Sequence, residues 1–463
     1  MKMTIGEIVK AIDADLDNET DDVLQTEVNG VCFDTRKIQP GQLFVPLKGA
    51  HDGHDFVDSA IKGGAAATLW ASDHADRLPL AIPAVVVADP LAAFQELSRY
   101  YLSKINPRVI AVTGSNGKTT TKDMIAAILG DEFHVTKTFD NFNNEIGVPY
   151  TILQMESNTE FLVVENRMDR PGQLDFLSRL VQPDVAIITM IGEAHIEFFG
   201  TRDKIADAKM EITHGLKEDG YFIYDGDEPL LTERAKQVNF AQRTFGRKNT
   251  NDVYATATSD GQFETRFTTN IWPDQSITIP MMGDYNVNNA LAAISVGRIY
   301  QIPQLEIVQK LAHFQVTKNR TEWLTGNRGE KILSDVYNSN PTAAKEVLNA
   351  FSRTKTDGRR IAVLGDMLEL GEKSPEMHAS LKQAIDPTVI SVVYLIGEDM
   401  QALYQQLKPV FAPENLHYYH ADQLDQLTAD LQADIQSTDE VMLKASHGIH
   451  LENVVKKMLA KSE

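Results

Sequence analysis

The chain has 463 residues, 43% of them hydrophobic and 24% charged, and its single cysteine, Cys32, has no partner for an internal disulfide or a thiolate metal cluster. The 44 Lys and Arg stand against 65 Asp and Glu, and the formal charge of -21 sets up a field that repels nucleic acid and anionic membrane surfaces. This length exceeds what one core fills and predicts about three α/β domains with a site built between them.

No apolar stretch approaches the ~18 residues of a membrane span, and Asp13, Asp15 and Asp17 lie where a signal peptide needs an apolar core, so a cytoplasmic protein is expected. In the first hundred residues, "GVCFDTRKIQPGQLFVPLKG" reads as strand, Pro-Gly turn and strand, and "HDFVDSAIKGGAAATLW" as helix, glycine stop and strand. "SRYYLSKINPR" reads as a helix that ends at a linker near Asn106 and Pro107. From 107 to about 318 the pattern alternates strand and helix. The runs "VIAVT", "FLVVE", "DVAIITMIG" and "YFIY" are apolar on both faces, as a covered parallel sheet requires. A second alternating set follows "KNRTEWL": strand "ILSDVY", a helix from Pro341 capped by Asn340, then strands "RRIAVLGDM", "VISVVYLIG" and "EVMLKAS". The expected division is 1–106, 107–318 and 319–463, the last a smaller Rossmann-like unit.

Residues 109–129 place "TGSNGKTTTK" between a strand and a helix, the context of a phosphate-binding loop. The first glycine of the common G-x-x-x-x-G-K-[ST] pattern is replaced by Val112. Gly114 and Gly117 still supply close backbone approach. The N–H groups from Ser115 and Asn116 onward can surround a phosphate, Lys118 offers a point charge, and the Thr119 hydroxyl can ligate Mg²⁺. Elsewhere, in "RDKIADAKMEITHGL", helical spacing puts Ile205, Lys209, Ile212 and Leu216 on one stripe, so a lysine points where apolar residues point.

The shortened loop resembles that of the Mur ligase and folylpolyglutamate synthase superfamily, ATP-dependent enzymes that join a carboxylate to an amine. The likeness runs through the whole chain. "DTRKIQPGQLFVPLKGAHDGHDF" resembles the UDP-sugar-binding segment of its later muropeptide ligases, and "NFNNEIGVP", "GDYNVNNALAAI", "DVYNSNP" and "VLGDMLELG" resemble the members that add D-alanyl-D-alanine to UDP-N-acetylmuramoyl-tripeptide. The D-N-P-R signature of the diaminopimelate-adding members is absent.

The resemblance implies an acyl-phosphate ligase of peptidoglycan synthesis with three units: a UDP-binding α/β domain, a parallel-sheet ATPase domain and a Rossmann-like domain. It implies ATP and Mg²⁺ as cofactors, a monomer, and open and closed forms. ATP is expected at Gly114, Ser115, Asn116, Gly117, Lys118, Thr119 and Thr120, with Asn289 on adenine, Arg320 on the phosphates and Asp335 on ribose. Glu165 and His195 join Thr119 as metal ligands, and Lys209 is carbamylated. Asp34, Thr35, Arg36, Gly53 and His54 are expected to hold the UDP-muropeptide, with Asn141 and Asn144 at its peptide-sugar portion and Tyr337 and Asn338 near the D-alanyl-D-alanine pocket.

Two positions depart from the family pattern: Asn166 and Arg167 follow Glu165 where a pair ending in glycine is usual, and Ala445 stands where glycine is frequent. A side chain at 167 is expected to crowd the metal or to force a different backbone angle. Another member of the superfamily, or a nucleotide-binding homologue with weakened catalysis, remains open on the sequence.

Overall fold

The computed structural model describes residues 1–17, 19–79 and 81–459. Three main sheets organise the chain. The first runs in the order Asp15–Leu16, Ala84–Val87, Ala67–Ala71, Leu43–Phe44, Val31–Cys32. The Pro40-Gly41 turn does not make a hairpin, because Val31–Cys32 and Leu43–Phe44 pair in parallel. A parallel pair needs a crossover, and residues 33–42 provide it, with Gly41 at a φ of 87° in the turn.

The helix Pro90–Ile105 follows, its first turn satisfied by the Asp89 side chain and its end marked by Asn106 in the left-handed conformation. It lies against the helix Gly147–Leu153: the Tyr101 hydroxyl donates to the Met155 carbonyl (3.0 Å) and Gln95 Nε2 to the Glu145 carbonyl (2.9 Å). One buried cluster continues from Ile5 and Leu43 through Phe94 and Leu97 to Val148, Leu162 and Leu174. The first sheet is thereby seated on the second through a shared apolar core.

The central sheet has the order Trp272–Ile279, Thr265–Thr269, Val253–Asp260, Ala241–Gly246, Tyr221–Asp225, Val185–Ile188, Arg108–Thr113, Phe161–Glu165, Val135–Lys137. Every residue of Phe161–Glu165 and Val185–Ile188 is buried, as expected of strands covered on both faces. The strand and helix alternation does not continue unbroken to 318. The three strands between 253 and 279 form antiparallel pairs, and their inward residues, among them Phe267, Ile277 and Ile279, pack against Ile307 and Leu311 of the helix Gln304–His313.

The third sheet has the order Glu322–Thr325, Lys331–Asp335, Glu440–Lys444, Arg360–Gly365, Val392–Ile396, Leu416–Tyr419, parallel except at the first strand. The four expected strands are present, and the edge strands Glu322–Thr325 and Leu416–Tyr419 are additional. Asn340 caps the helix Pro341–Ser352 through a bond from the Ala343 N–H (3.0 Å). In open parallel sheets ligands gather beyond the carboxyl ends of the strands. Thr113, Glu165 and Ile188 end strands of the central sheet and Asp335 ends one of the third.

Lys209 reaches its place through one close backbone approach. Gly215 follows the helical segment 202–213, and a Cβ there would lie 2.1 Å from the Ser178 carbonyl oxygen, while the Gly215 N–H donates to Ser178 Oγ (2.9 Å). Gly215→Ala is expected to push the helix Gln173–Val181 away from this segment at a cost of about 1–3 kcal/mol, read as a lower urea midpoint. An unchanged midpoint would show that the two segments do not need this proximity.

Candidate functional site

The strand Arg108–Thr113 leads through residues 114–117 into the helix Lys118–Leu129. Val112 remains inside the sheet, paired with Glu165 and Ile187, so the turn is formed by a shorter stretch than in the common phosphate loop. Two glycines are required by their surroundings: a Cβ at Gly114 would lie 1.8 Å from Thr189 Oγ1, and one at Gly117, where φ is +81°, would lie 2.2 Å from Asn289 Oδ1. The Ser115 N–H donates to the Met190 carbonyl (3.0 Å), which ties the loop to the segment after Val185–Ile188. Lys118 Nζ reaches back to donate to the Gly114 carbonyl (3.0 Å). Enclosure by the cavity walls pushes its amine down to about 8, against the raising effect of Glu165.

Glu165 is buried, and its carboxylate is held by neutral donors: Thr119 Oγ1 donates to one oxygen (2.7 Å) and Asn143 Nδ2 to the other (2.8 Å). Arg320 Nη2 donates to Thr119 Oγ1 (3.2 Å), and its guanidinium lies over the Tyr337 ring, 3.9 Å from the centroid. Arg320 belongs to the segment entering the third sheet, so this cluster spans two sheets. The Asn116 and Asn340 amides pair reciprocally (2.8 and 3.3 Å), and Thr342 Oγ1 donates to Glu193 (2.7 Å). His195 Nδ1 meets the Glu369 carboxylate, and that hydrogen bond holds the Glu369 carboxyl below its ordinary value. Both residues are left-handed, at φ 65° and 62°, a strained backbone of the kind found at functional sites.

These groups surround a cavity of about 260 Å³. Its walls carry the loop residues 115–119, Asn141, Glu165, His195, Arg320, Tyr337 and Asn338. A second recess of about 60 Å³ shares Asn116, Gly117, Arg320 and Asn338 with it and adds Thr120, Asn289 and Asp335. Asp335 accepts from Lys444 Nζ (2.6 Å) and from the Thr321 N–H (3.2 Å), and Asn289 accepts from Thr121 Oγ1 (3.2 Å). Every residue expected to hold ATP or metal, except the deeper Gly114 and Lys209, lines one of these two spaces.

Of the residues expected at the UDP-muropeptide, Asn141 lines the larger cavity and the others lie elsewhere. Arg36 is exposed and folds onto Asp34 (2.8 Å), beside the half-buried Thr35. His54 is buried with both ring nitrogens engaged, Nδ1 with Asp52 (2.7 Å) and Nε2 with the Ala71 N–H (3.1 Å). Gly53 lies so close to the chain at Pro46 and Leu47 that a Cβ would be 2.6 Å from backbone. Asn144 accepts from the Ile146 and Gly147 N–H groups and lines a separate recess with Gln95 and Arg170.

Sequence reasoning did not single out Asn143, Glu369, Asn116's partner Asn340 as a site residue, or Lys444. Asn143 lies inside the quoted "NFNNEIGVP", but of the three asparagines there the sequence reading selects Asn141 and Asn144, whereas it is Asn143 that holds Glu165. Arg167 lines the larger cavity, and it is not among the residues with positive φ, so its backbone there does not demand glycine.

Comparison with known proteins agrees in every segment. Residues 112–297 match the Mur ligase middle domain, 319–447 the Mur ligase glutamate ligase domain, and 27–101 the Mur ligase family catalytic domain. A Bacillus subtilis protein named UDP-N-acetylmuramoyl-tripeptide--D-alanyl-D-alanine ligase is 40% identical over 461 residues, 99% of each chain. The crystal structure I of MurF from Acinetobacter baumannii superposes with a TM-score of 0.85 at 27% identity over 99% of each chain. MurF ligase from Thermotoga maritima in complex with ADP gives 0.79 at 27% identity, over 93% of this chain and 97% of that one.

Lys209 is 2% exposed on the expected stripe beside Ile205 and Ile212, and no acceptor bonds its Nζ among the described residues. Burial first, and the charge of Lys118 second, hold its amine well below 10.5. The unfolded chain therefore binds a proton that the folded chain lacks, and stability rises with pH from the folded pKa up to the unfolded value near 10.5. In CO₂-free buffer the wild type is expected to gain stability over Lys209→Met as pH rises through that window, by about 1.4 kcal/mol per unit. Parallel denaturation curves for the two proteins would show that Lys209 stays charged when folded.

Proposed function

The chain belongs to the Mur ligase family, and from that premise we infer that it is an ATP-dependent ligase that adds D-alanyl-D-alanine to UDP-N-acetylmuramoyl-tripeptide in peptidoglycan precursor synthesis. One observation in this chain carries the reading: Arg320, from the third unit, bonds Thr119 at the end of the phosphate loop (3.2 Å), and the cavity around them opens between two sheets.

In this reading the ATP phosphates lie along 114–119, with Lys118 and Arg320 neutralising charge as the terminal phosphoryl moves to the tripeptide carboxylate. The smaller recess, with Asn289 and Asp335, suits adenine and ribose. Transfer gives an acyl phosphate and ADP. The neutral amine of the dipeptide attacks the acyl carbon, the tetrahedral species collapses, and phosphate leaves as the amide forms. The protein's part is to hold the two reactants in line and exclude water.

Thr119 and Glu165, with His195, would hold Mg²⁺. The donor set fits: a buried carboxylate next to a hydroxyl offers hard oxygen ligands, and the side chains that hydrogen-bond Glu165, Thr119 and Asn143, are both neutral. When bound, the ion supplies positive charge to the phosphate oxygens. Burial lowers the Lys209 amine from its ordinary value and so favours the neutral, nucleophilic form that adds to CO₂, which supports its carbamylation. Asp34, Thr35, Arg36, Gly53 and His54 lie in the connections of the first sheet, the unit that would hold the UDP portion, His54 and Gly53 by fixing the loop. Asn141 and Asn144 would flank the peptide-sugar portion, and Tyr337 and Asn338 the dipeptide. Functional units divided at 106 and 318 accord with the change of sheet at both positions. No described helix is long and apolar enough to cross a membrane; the reading places a monomeric enzyme in the cytoplasm.

With ATP, Mg²⁺ and UDP-linked tripeptide, phosphate release and the mass gain of the product are expected only when D-alanyl-D-alanine is the amine. Release with glutamate or a diamino acid instead would reassign the chain to a sister ligase. Lys118→Ala is expected to lower turnover by about 100-fold or more with its melting temperature little changed, and retained turnover would remove the loop lysine from the mechanism. Lys209→Ala should lose activity and regain part of it with added short-chain carboxylic acids; full activity without them would exclude a required carbamate.

A further inference from the structure

We propose that Arg167 is a substrate-binding residue that receives the carboxylate of one of the two peptide substrates, a contact that rests on the ligase reading above. Arg167 stands two positions beyond Glu165, the last residue of its strand. The main chain is fixed there, because the Arg167 N–H donates to the Asn143 carbonyl (2.9 Å) and Asn143 in turn holds Glu165 (2.8 Å). The guanidinium is aimed as well: Nη2 donates to Asp169 Oδ2 (2.7 Å), and Asp169 is anchored by its own N–H to Gln173 Oε1 (2.8 Å).

Two of the three guanidinium nitrogens have no hydrogen-bond partner among the described residues: Nε, which is buried, and Nη1. The side chain is 43% exposed, and it lines the 260 Å³ cavity together with Lys118, Tyr337 and Glu369. A buried charged donor without an acceptor is costly, and here it belongs to a side chain whose direction is set by a second carboxylate. The geometry is that of a guanidinium held ready for an anion.

The anion belongs to the peptide side of the cavity rather than to the nucleotide. The recess with Asn289 and Asp335 does not include Arg167, and the phosphate loop has its own donors in Lys118, Arg320 and the backbone. The planar fork of arginine matches a carboxylate. Both peptide substrates bear one: the tripeptide presents the group that is activated, and the dipeptide keeps its own throughout. The shared chemistry is a peptide carboxylate, and kinetics distinguishes its source.

The full-length protein and its Arg167→Ala and Arg167→Lys variants would be compared by kcat and by KM for ATP, the UDP-linked tripeptide and D-alanyl-D-alanine. Arg167→Ala is expected to raise KM for one peptide substrate by about tenfold or more, with Arg167→Lys intermediate and KM for ATP within about twofold. A rise for the tripeptide assigns the acyl carboxylate, and a rise for the dipeptide assigns the amine substrate. A change confined to ATP, or unchanged constants throughout, overturns the proposal.

Dipeptide and tripeptide analogues with a carboxamide at the group concerned give a readout in the wild type that does not depend on a variant folding. Wild-type protein should discriminate either against the dipeptide amide as substrate or against the tripeptide amide as a competitive ligand, and Arg167→Lys should discriminate less; equal use of the dipeptide acid and amide together with equal binding of the tripeptide acid and amide counts against Arg167. Wild-type protein that releases no phosphate with the dipeptide would refute the ligase reading itself, and the proposal with it.

Discussion

The phosphate loop keeps its shape because two distant side chains occupy the space where side chains of its own would go. Thr189 presses on Gly114 and Asn289 on Gly117, at separations that leave no room for a Cβ. Thr189 is placed by the central sheet, where its N–H donates to the Thr113 carbonyl (2.9 Å). Asn289 is placed by the helix Tyr285–Ile299. A motif readable in ten consecutive residues is thus a tertiary structure. The reach of Lys118 back to Gly114 and the direction of Thr119 toward Glu165 both follow from it.

Electrostatics separates the surface from this interior. A chain with a net charge of -21 keeps polyanions away in general, yet its central cavity gathers Lys118, Arg320 and Arg167 against Glu165 and Glu369. Lys209 lies close enough for its charge to oppose that of Lys118. Two enclosed ammonium groups cannot both remain charged without cost, and the deeper one, with no acceptor among the described residues, is held well below its ordinary value. The same enclosure that lowers Lys118 therefore favours a neutral amine beside it.

Local signals were enough for much of this. The phosphate loop, the linker at Asn106, the buried strands and the cap at Asn340 are set by residues adjacent in sequence, and each stands where its pattern pointed. The stripe containing Lys209 was legible for the same reason, since helical spacing alone decides which residues share a face. Other features depend on partners that the sequence does not identify. The parallel pairing across Pro40-Gly41 is decided by the sheet that residues 67–71 extend. The antiparallel strands from 253 to 279 are rich in threonine and weakly apolar, and their sidedness comes from the helix they cover. Glu369 could be found only through His195, 174 residues away.

The joints between the loop and the third unit are hydrogen bonds between side chains. Asn340 uses one oxygen twice, accepting from the Ala343 N–H as a helix cap (3.0 Å) and from Asn116 Nδ2 of the loop (3.3 Å). Thr342, in the first turn of the same helix, holds Glu193, two residues before the cavity-lining His195. With the Arg320 bond to Thr119, these contacts tie the orientation of the helix Pro341–Ser352 to the conformation of the loop. Each is polar and water can replace it on separation, so each contributes only about 0.5–1.5 kcal/mol net. A handful of such bonds totals a few kcal/mol, comparable to the binding energy that a nucleotide brings. Apolar contacts accompany them, since Met282 of the central unit enters the core of the third and the Phe263 ring meets Trp323, so the polar bonds orient the helix at a seam that apolar packing also holds.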